Sequence, residues 1–225
     1  MKCRPTQSPS PFEYFDIVVN GTTVPLLQTV FRPQRAQIFF HSEEMCFHAG
    51  QDGIGSKAGH VRVYEYVSSA WVQLGADIDG EAASDESGCS VSFSAFGDRL
   101  AIGARANDGT ATNAGHVRVY EFDSSTWVQL GADIDGEAAS DTSGKVVSLS
   151  ADGVRVAISA RGNEGNGTDG HVRVYEFNSS AWVQLGADID GEAAGDMSGS
   201  SVSLSHNGSR VAIGASHNDA IGDKA

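Results

Sequence analysis

Apolar and polar residues alternate in short runs along most of this chain, and no stretch carries the helical period. From His171 to Phe177, Val172 and Val174 fall on one side, and Arg173, Tyr175 and Phe177 on the other. Asn178-Ser179-Ser180 supplies turn chemistry. A second run, Trp182 to Ile189, alternates Trp182 and Gln184 with Val183 and Leu185. A polar connection, Asp190 to Gly199, precedes a third run, Ser201 to Ser205, where Val202 and Leu204 alternate with serines. His206-Asn207-Gly208-Ser209 reads as a tight turn into a fourth run, Arg210 to Ala215. Each run predicts a strand. Small residues on one face and branched aliphatics on the other predict sheets that nest closely.

The same words recur. Gly59, Gly115 and Gly170 open nearly identical segments, 56 and 55 residues apart, giving copies 59–114, 115–169 and 170–225. A fixed period of this size marks a repeat architecture. Four strands per copy predict an all-β fold of β-propeller-like blades, each a small twisted sheet packed on its neighbours. The three tryptophans, Trp71, Trp127 and Trp182, share one slot, which predicts a packing role in each blade. Three copies of four strands also satisfy a three-fold lectin-like fold, a β-prism or β-trefoil. Residues 1–47 lack the repeat and form a separate lead-in. Within it, residues 1–11 are Pro/Ser-rich and polar and predict disorder. Asn20-Gly21 between β-branched runs predicts a hairpin, and Gln37 to Phe40 a further short strand.

The formal charge of −14 and pI near 4.7 argue against nucleic acid and anionic lipid as partners. No apolar run reaches membrane-spanning length, and no secretion signal is visible. Cys3, Cys46 and Cys89 form neither a disulfide framework nor a CxxC site.

Ser198-Gly199-Ser200-Ser201-Val202-Ser203-Leu204, then Arg210 to Ala215, then a Gly/Asp loop and the GHVRVYE words resemble an FG-GAP repeat. Such repeats build the propeller of integrin α subunits and related extracellular proteins. The Trp, Gln, Leu and Asp-Gly words resemble the variant found in microbial and algal members. The resemblance covers residues 48–225. It implies blades, an extracellular or cell-surface setting and adhesion or recognition of a protein or glycan. The chain departs from the pattern at the Phe-Gly slot, which holds Ser87-Gly88, Ser143-Gly144 and Ser198-Gly199, and it lacks the Gly-Ala-Pro proline. The short connections at Ala95–Asp98, Ala151–Val154 and His206–Ser209 are too poor in carboxylates for the family's calcium loop. Propellers typically close with about 4–8 blades. Further blades, in a longer chain or by self-association, are therefore expected.

Three sets of residues are candidates for chemistry. His60, His116 and His171 open equivalent strands; the expectation is a histidine bonded to a neighbouring loop, with metal binding as the alternative. The acidic words Asp77-Ile78-Asp79, Asp133-Ile134-Asp135 and Asp188-Ile189-Asp190, each followed by Gly and Glu, offer calcium oxygen ligands or simply solvated turns. Asp85, Asp141 and Asp196 follow them. Asn20, Asn166, Asn178 and Asn207 fit the glycosylation pattern at predicted turns. No catalytic constellation and no cofactor beyond calcium is expected. An active site needs different groups placed asymmetrically around one centre, and nearly every polar residue here recurs in each copy. The loops that differ, Asn107–Asn113, Arg161–Asp169 and His217–Lys224, are where specificity is expected. The chain thus reads as a non-enzymatic recognition scaffold. A propeller joined to an enzyme whose catalytic part lies elsewhere is a further reading.

Overall fold

The structure is a computed structural model that describes residues 14–19, 22–27, 56–162, 170–193 and 195–218. The chain divides into two compact units, Met1–Gln34 and Arg35–Ala225. In the first, β1 (Tyr14–Val19) pairs antiparallel with β2 (Thr22–Leu27), Val19 standing opposite Thr22. The Asn20-Gly21 turn, the disordered lead, the strand at Gln37 to Phe40 and the boundary at residue 47 lie outside the described residues.

The second unit is all-β and propeller-like, with no helix among its described residues. It begins with β3 (His60–Val61), β4 (Tyr64–Val67), β5 (Ala70–Gln73) and β6 (Ile78–Asp79), with β3 pairing β6 and β4 pairing β5. A complete sheet follows: β7 (Ser87–Phe93), β8 (Arg99–Ala104), β9 (His116–Phe122), and an outer strand in two pieces, β10 (Trp127–Gln129) and β11 (Ile134–Asp135). The next sheet repeats this order with β12 (Val147–Leu149), β13 (Arg155–Ala160), β14 (His171–Phe177), β15 (Trp182–Gln184) and β16 (Ile189–Asp190). β17 (Ser198–Leu204) and β18 (Val211–Ala215) form a final antiparallel pair. All neighbours within the blades are antiparallel.

The described strands therefore make two complete blades between an outer half-blade and an inner one, and they do not close a ring. Blades and sequence copies are offset by half a unit. Each blade joins the last two strands of one copy to the first two of the next. The run Trp182 to Ile189, read as one strand, is two: Leu185 still donates its N–H to the Val174 carbonyl, and Gly186 to Asp188 turn away before Ile189 rejoins β14 opposite Val172. Gly186, at φ +76 inside this break, adopts a conformation that favours glycine.

The core lies between blades. Ala101, Val117, Val119 and Ile134 of one blade meet Val147, Leu149, Val156, Ile158 and Tyr175 of the next. Val61, Val63 and Ile78 meet Leu100, Ile102, Tyr120 and Trp127 in the same way. Full burial of one such aliphatic or aromatic side chain contributes about 1.5–3 kcal/mol. Polar contacts fix the spacing. Leu149 N–H donates to Ser92 Oγ and Leu204 N–H to Ser148 Oγ, each at 2.9 Å. Ala95 N–H donates to the Ala151 carbonyl, and Ala151 N–H to the His206 carbonyl, each at 2.8 Å. The inner-strand serines are thus inter-blade acceptors, which explains why those positions are small and polar.

Candidate functional site between successive blades

One end of each junction gathers the start of the third strand, the acidic word and the variable loop. β11 is anchored by buried Ile134 opposite Val117, and Asp135 stands opposite His116. Asp133 lies just before this anchor. Gln129 Nε2 donates to Asp133 Oδ1 at 2.6 Å, and Asp133 Oδ2 faces His116 Nδ1 at 3.6 Å. Glu81 of the preceding blade brings Oε2 to 3.9 Å from the same nitrogen. Its other oxygen, Oε1, lies 3.5 Å from Arg118 Nη1, while Arg118 Nη2 donates to the Asp79 carbonyl at 2.8 Å.

The next junction repeats the arrangement. Gln184 Nε2 donates to Asp188 Oδ1 at 2.7 Å, and Asp188 Oδ2 lies 4.0 Å from His171 Nδ1. Arg173 Nη1 lies 3.2 Å from Glu137 Oε1, and Nη2 donates to the Asp135 carbonyl at 3.2 Å. Ligand atoms of Glu81, His116 and Asp133 come within 4.8 Å of one another, as do those of Glu137, His171 and Asp188. Arg118 also covers the Tyr120 ring and Arg173 the Tyr175 ring.

Both imidazoles are 1% exposed, and His171 Nε2 has no hydrogen-bond partner. Burial is the main force holding both below the ordinary histidine value. For His116, Arg118 adds to it while Asp133, Glu81 and Asp135 oppose. For His171, Arg173 adds to it while Asp188, Glu137 and Asp141 oppose. Both rings are neutral at pH 7.

The acidic words separate into different roles. Asp133 and Asp188 join the histidines, whereas Asp135 and Asp190 sit in β11 and β16 opposite them and belong to neither group of ligating side chains. Asp77 accepts from Arg62 Nε at 2.9 Å and from Gln73 Nε2 at 2.7 Å, and Arg62 chiefly holds its carboxyl below the usual range. Asp79 sits in β6 opposite His60. Asp85, Asp141 and Asp196 are buried, contrary to a solvated turn. Their carboxylates accept from Ala82 N–H, from Glu137 and Ala138 N–H, and from Ala193 N–H, which closes each acidic turn. Asn107 Nδ2 donates to Asp85 Oδ2 at 3.0 Å and Asn218 Nδ2 to Asp196 Oδ2 at 2.8 Å.

The loop Asn107–Asn113 rises beside this site. Asn107 Oδ1 accepts from Gly109 N–H at 2.8 Å, Asp108 Oδ1 from Asn113 N–H at 2.7 Å, and Thr110 Oγ1 donates to the Gly136 carbonyl at 2.8 Å. Residues 163–169 and 219–224 of the other two variable loops lie outside the described residues. So do Asn20 and Asn166. Asn178 and Asn207 hold turns, accepting from Ser180 and Ser209 backbone N–H at 3.1 Å.

The sequence marked the histidines and the acidic words separately but missed Glu81 and Glu137 as their partners. The available signal was the glutamate that follows Gly80 and Gly136 in each copy. Its partner lies one blade further on, so local spacing does not reveal the pair.

The class these features define is an open, propeller-like repeat domain with polar clusters at its blade junctions. No protein-family model matches the sequence, and no curated protein matches it. Among solved structures, the chain is similar to a "putative 6-phosphogluconolactonase" from Bacteroides uniformis at 13% identity and a TM-score of 0.50, over 70% of this chain and 41% of that one. It is also similar to a chain in a complex of KlAtg21 with the coiled coil of AgAtg16, at 12% identity and a TM-score of 0.50, over 88% of this chain and 54% of that one. The chain thus spans about half or less of these two structures, and at such identities the likeness is one of fold. No helix among the described residues is long and apolar enough to cross a membrane.

Proposed function

We propose that this chain is a non-enzymatic repeat scaffold for recognition of a protein or glycan at an extracellular or cell surface. The observation that carries this reading is how side chains divide between roles. The repeated residues Trp127 and Trp182, Arg118 and Arg173, and Asp85, Asp141 and Asp196 hold blades and turns together. The copy-specific loop Asn107–Asn113 is tethered at its base while Asp108, Gly109, Thr110 and Thr112 stay open to solvent or nearly so. A rigid frame with variable exposed loops is a recognition architecture. The FG-GAP resemblance of the repeated words supports the same setting. Blades that each draw on two copies favour a propeller over a three-fold lectin fold, and the likeness to the Bacteroides chain supports no chemistry at its level of identity.

The test is a screen of the full chain on a glycan array and a panel of extracellular proteins, beside a chain in which Asp108–Thr112 is replaced by a Gly/Ser segment of equal length. Binding by the first that is lost in the second, with an unchanged urea midpoint, is expected. Equal binding by both chains, or none by either, overturns the reading. So does hydrolysis of 6-phosphogluconolactone above the buffer rate by the purified chain.

A further inference from the structure

We propose that each blade junction holds a divalent transition-metal ion of the zinc type, bound by Glu81, His116 and Asp133 at one junction and by Glu137, His171 and Asp188 at the next. Three observations carry this.

The first is the buried imidazole. His116 is buried, and its Nδ1 faces two carboxylate oxygens. Left to themselves, a carboxylate and an imidazole close to about 2.7–3.0 Å through a shared proton. Here the gaps are 3.6 and 3.9 Å. Ligand bonds of about 2.0–2.2 Å around a tetrahedral ion place ligand atoms ~3.4 Å apart. The separations therefore suit atoms that share a cation rather than a proton.

The second is the supporting shell. Each carboxylate has one oxygen committed to a protein partner, Gln129 or Gln184 on the aspartates and Arg118 or Arg173 on the glutamates. The other oxygen of Glu81, Asp133 and Asp188 is turned toward the imidazole. Outer partners that fix ligand orientation in this way characterise metal sites.

The third is repetition. The constellation forms at both complete junctions. At the first half-blade, Arg62 pairs with Asp77, and among the described residues no such group assembles around His60. The site is therefore a product of blade–blade contact rather than of the repeated words alone.

An imidazole with two carboxylates selects zinc-type ions over calcium, which takes oxygen ligands. Glu81 and Glu137 are solvent-exposed, so water completes the coordination and the ion exchanges. Each ion bridges two successive blades and clamps the junction.

The experiment is a titration of the untagged, chelator-treated full chain with Zn²⁺ by calorimetry and with Co²⁺ by visible absorption. Two ions per chain are expected, with a Co²⁺ spectrum of nitrogen-bound metal. Glu81→Gln and Asp188→Asn each strike one junction and should each lower the stoichiometry to one. The double variant should bind none, with circular dichroism unchanged throughout. No uptake by the parent chain at millimolar metal overturns the proposal. Uptake that neither substitution reduces overturns it as well, because the ions then sit elsewhere. Should one variant fail to fold, the other junction's variant decides alone by the same criterion.

Discussion

The first half-blade and the first complete blade carry nearly the same residues in different surroundings. Trp71 is 36% exposed, whereas Trp127 in the same slot is 8% exposed and donates its indole N–H to the Leu74 carbonyl of the preceding blade. Arg62 turns outward to Asp77, whereas Arg118 reaches across to the Asp79 carbonyl and Glu81. His60 is half-buried, whereas His116 is buried. Near-identical words therefore do not carry identical energies. The repeat packs its core against the blade in front of it, as expected where each unit contacts only its neighbours.

The tryptophans offer the sharpest way to break that comparison. Trp127→Ala should lower stability by about 3–5 kcal/mol, since it empties an inter-blade core and removes an indole hydrogen bond. Trp71→Ala removes a side chain that is 36% exposed and should cost less. Urea midpoints of the two variants measure the difference, and equal losses would contradict a role for the preceding blade.

Two glycines test the same point through the backbone. Gly144 has φ +84, and a Cβ there would meet the His116 carbonyl at 2.5 Å and Gly103 Cα at 3.1 Å across the junction. Gly186 has φ +76 with nothing within 4 Å of a Cβ. Gly144→Ala should cost about 3 kcal/mol, combining strain and overpacking. Gly186→Ala should cost about 1 kcal/mol from backbone strain alone. Thermal melts of both variants decide this.

The smallest effect concerns pH. His116 and His171 have folded values lowered by burial, so the unfolded chain takes up protons first. Their contribution is complete above the unfolded value near 6.5 and is lost as pH falls through the lowered folded value. Asp133, Glu81, Asp135 and Arg118 face the first ring, and Asp188, Glu137, Asp141 and Arg173 the second. In the presence of chelator, the urea midpoint should fall from about pH 7.5 to about pH 5. The fall should be shallower in His116→Gln and shallower again with His171→Gln added. Identical slopes in all three chains would contradict the assignment.

Much of the fold is legible in the residues. Val117 and Val119, or Ser148 between Val147 and Leu149, announce strands by alternation, and Asn207-Gly208 announces the turn between β17 and β18. The half-unit offset is not legible, because a strand's edge partner depends on closure of the sheet and not on its own pattern. Ile189 shows a further limit. It reads as a continuation from Trp182, yet the chain turns at Gly186 and re-enters the sheet two positions before Gly191. The site was legible only as separate parts. His116 and Asp133 lie in one copy and Glu81 in the one before, and only packing of successive blades brings them together.

The offset between copies and blades bears on how such a gene changes length. Recombination that joins any position of one copy to the equivalent position of another removes or adds one whole period. Because each blade is assembled from two copies, the spliced chain still offers every inner pair of strands an outer pair that fits. The crossover point need not respect a blade boundary wherever the copies align. The near-identity of the three copies preserves that freedom.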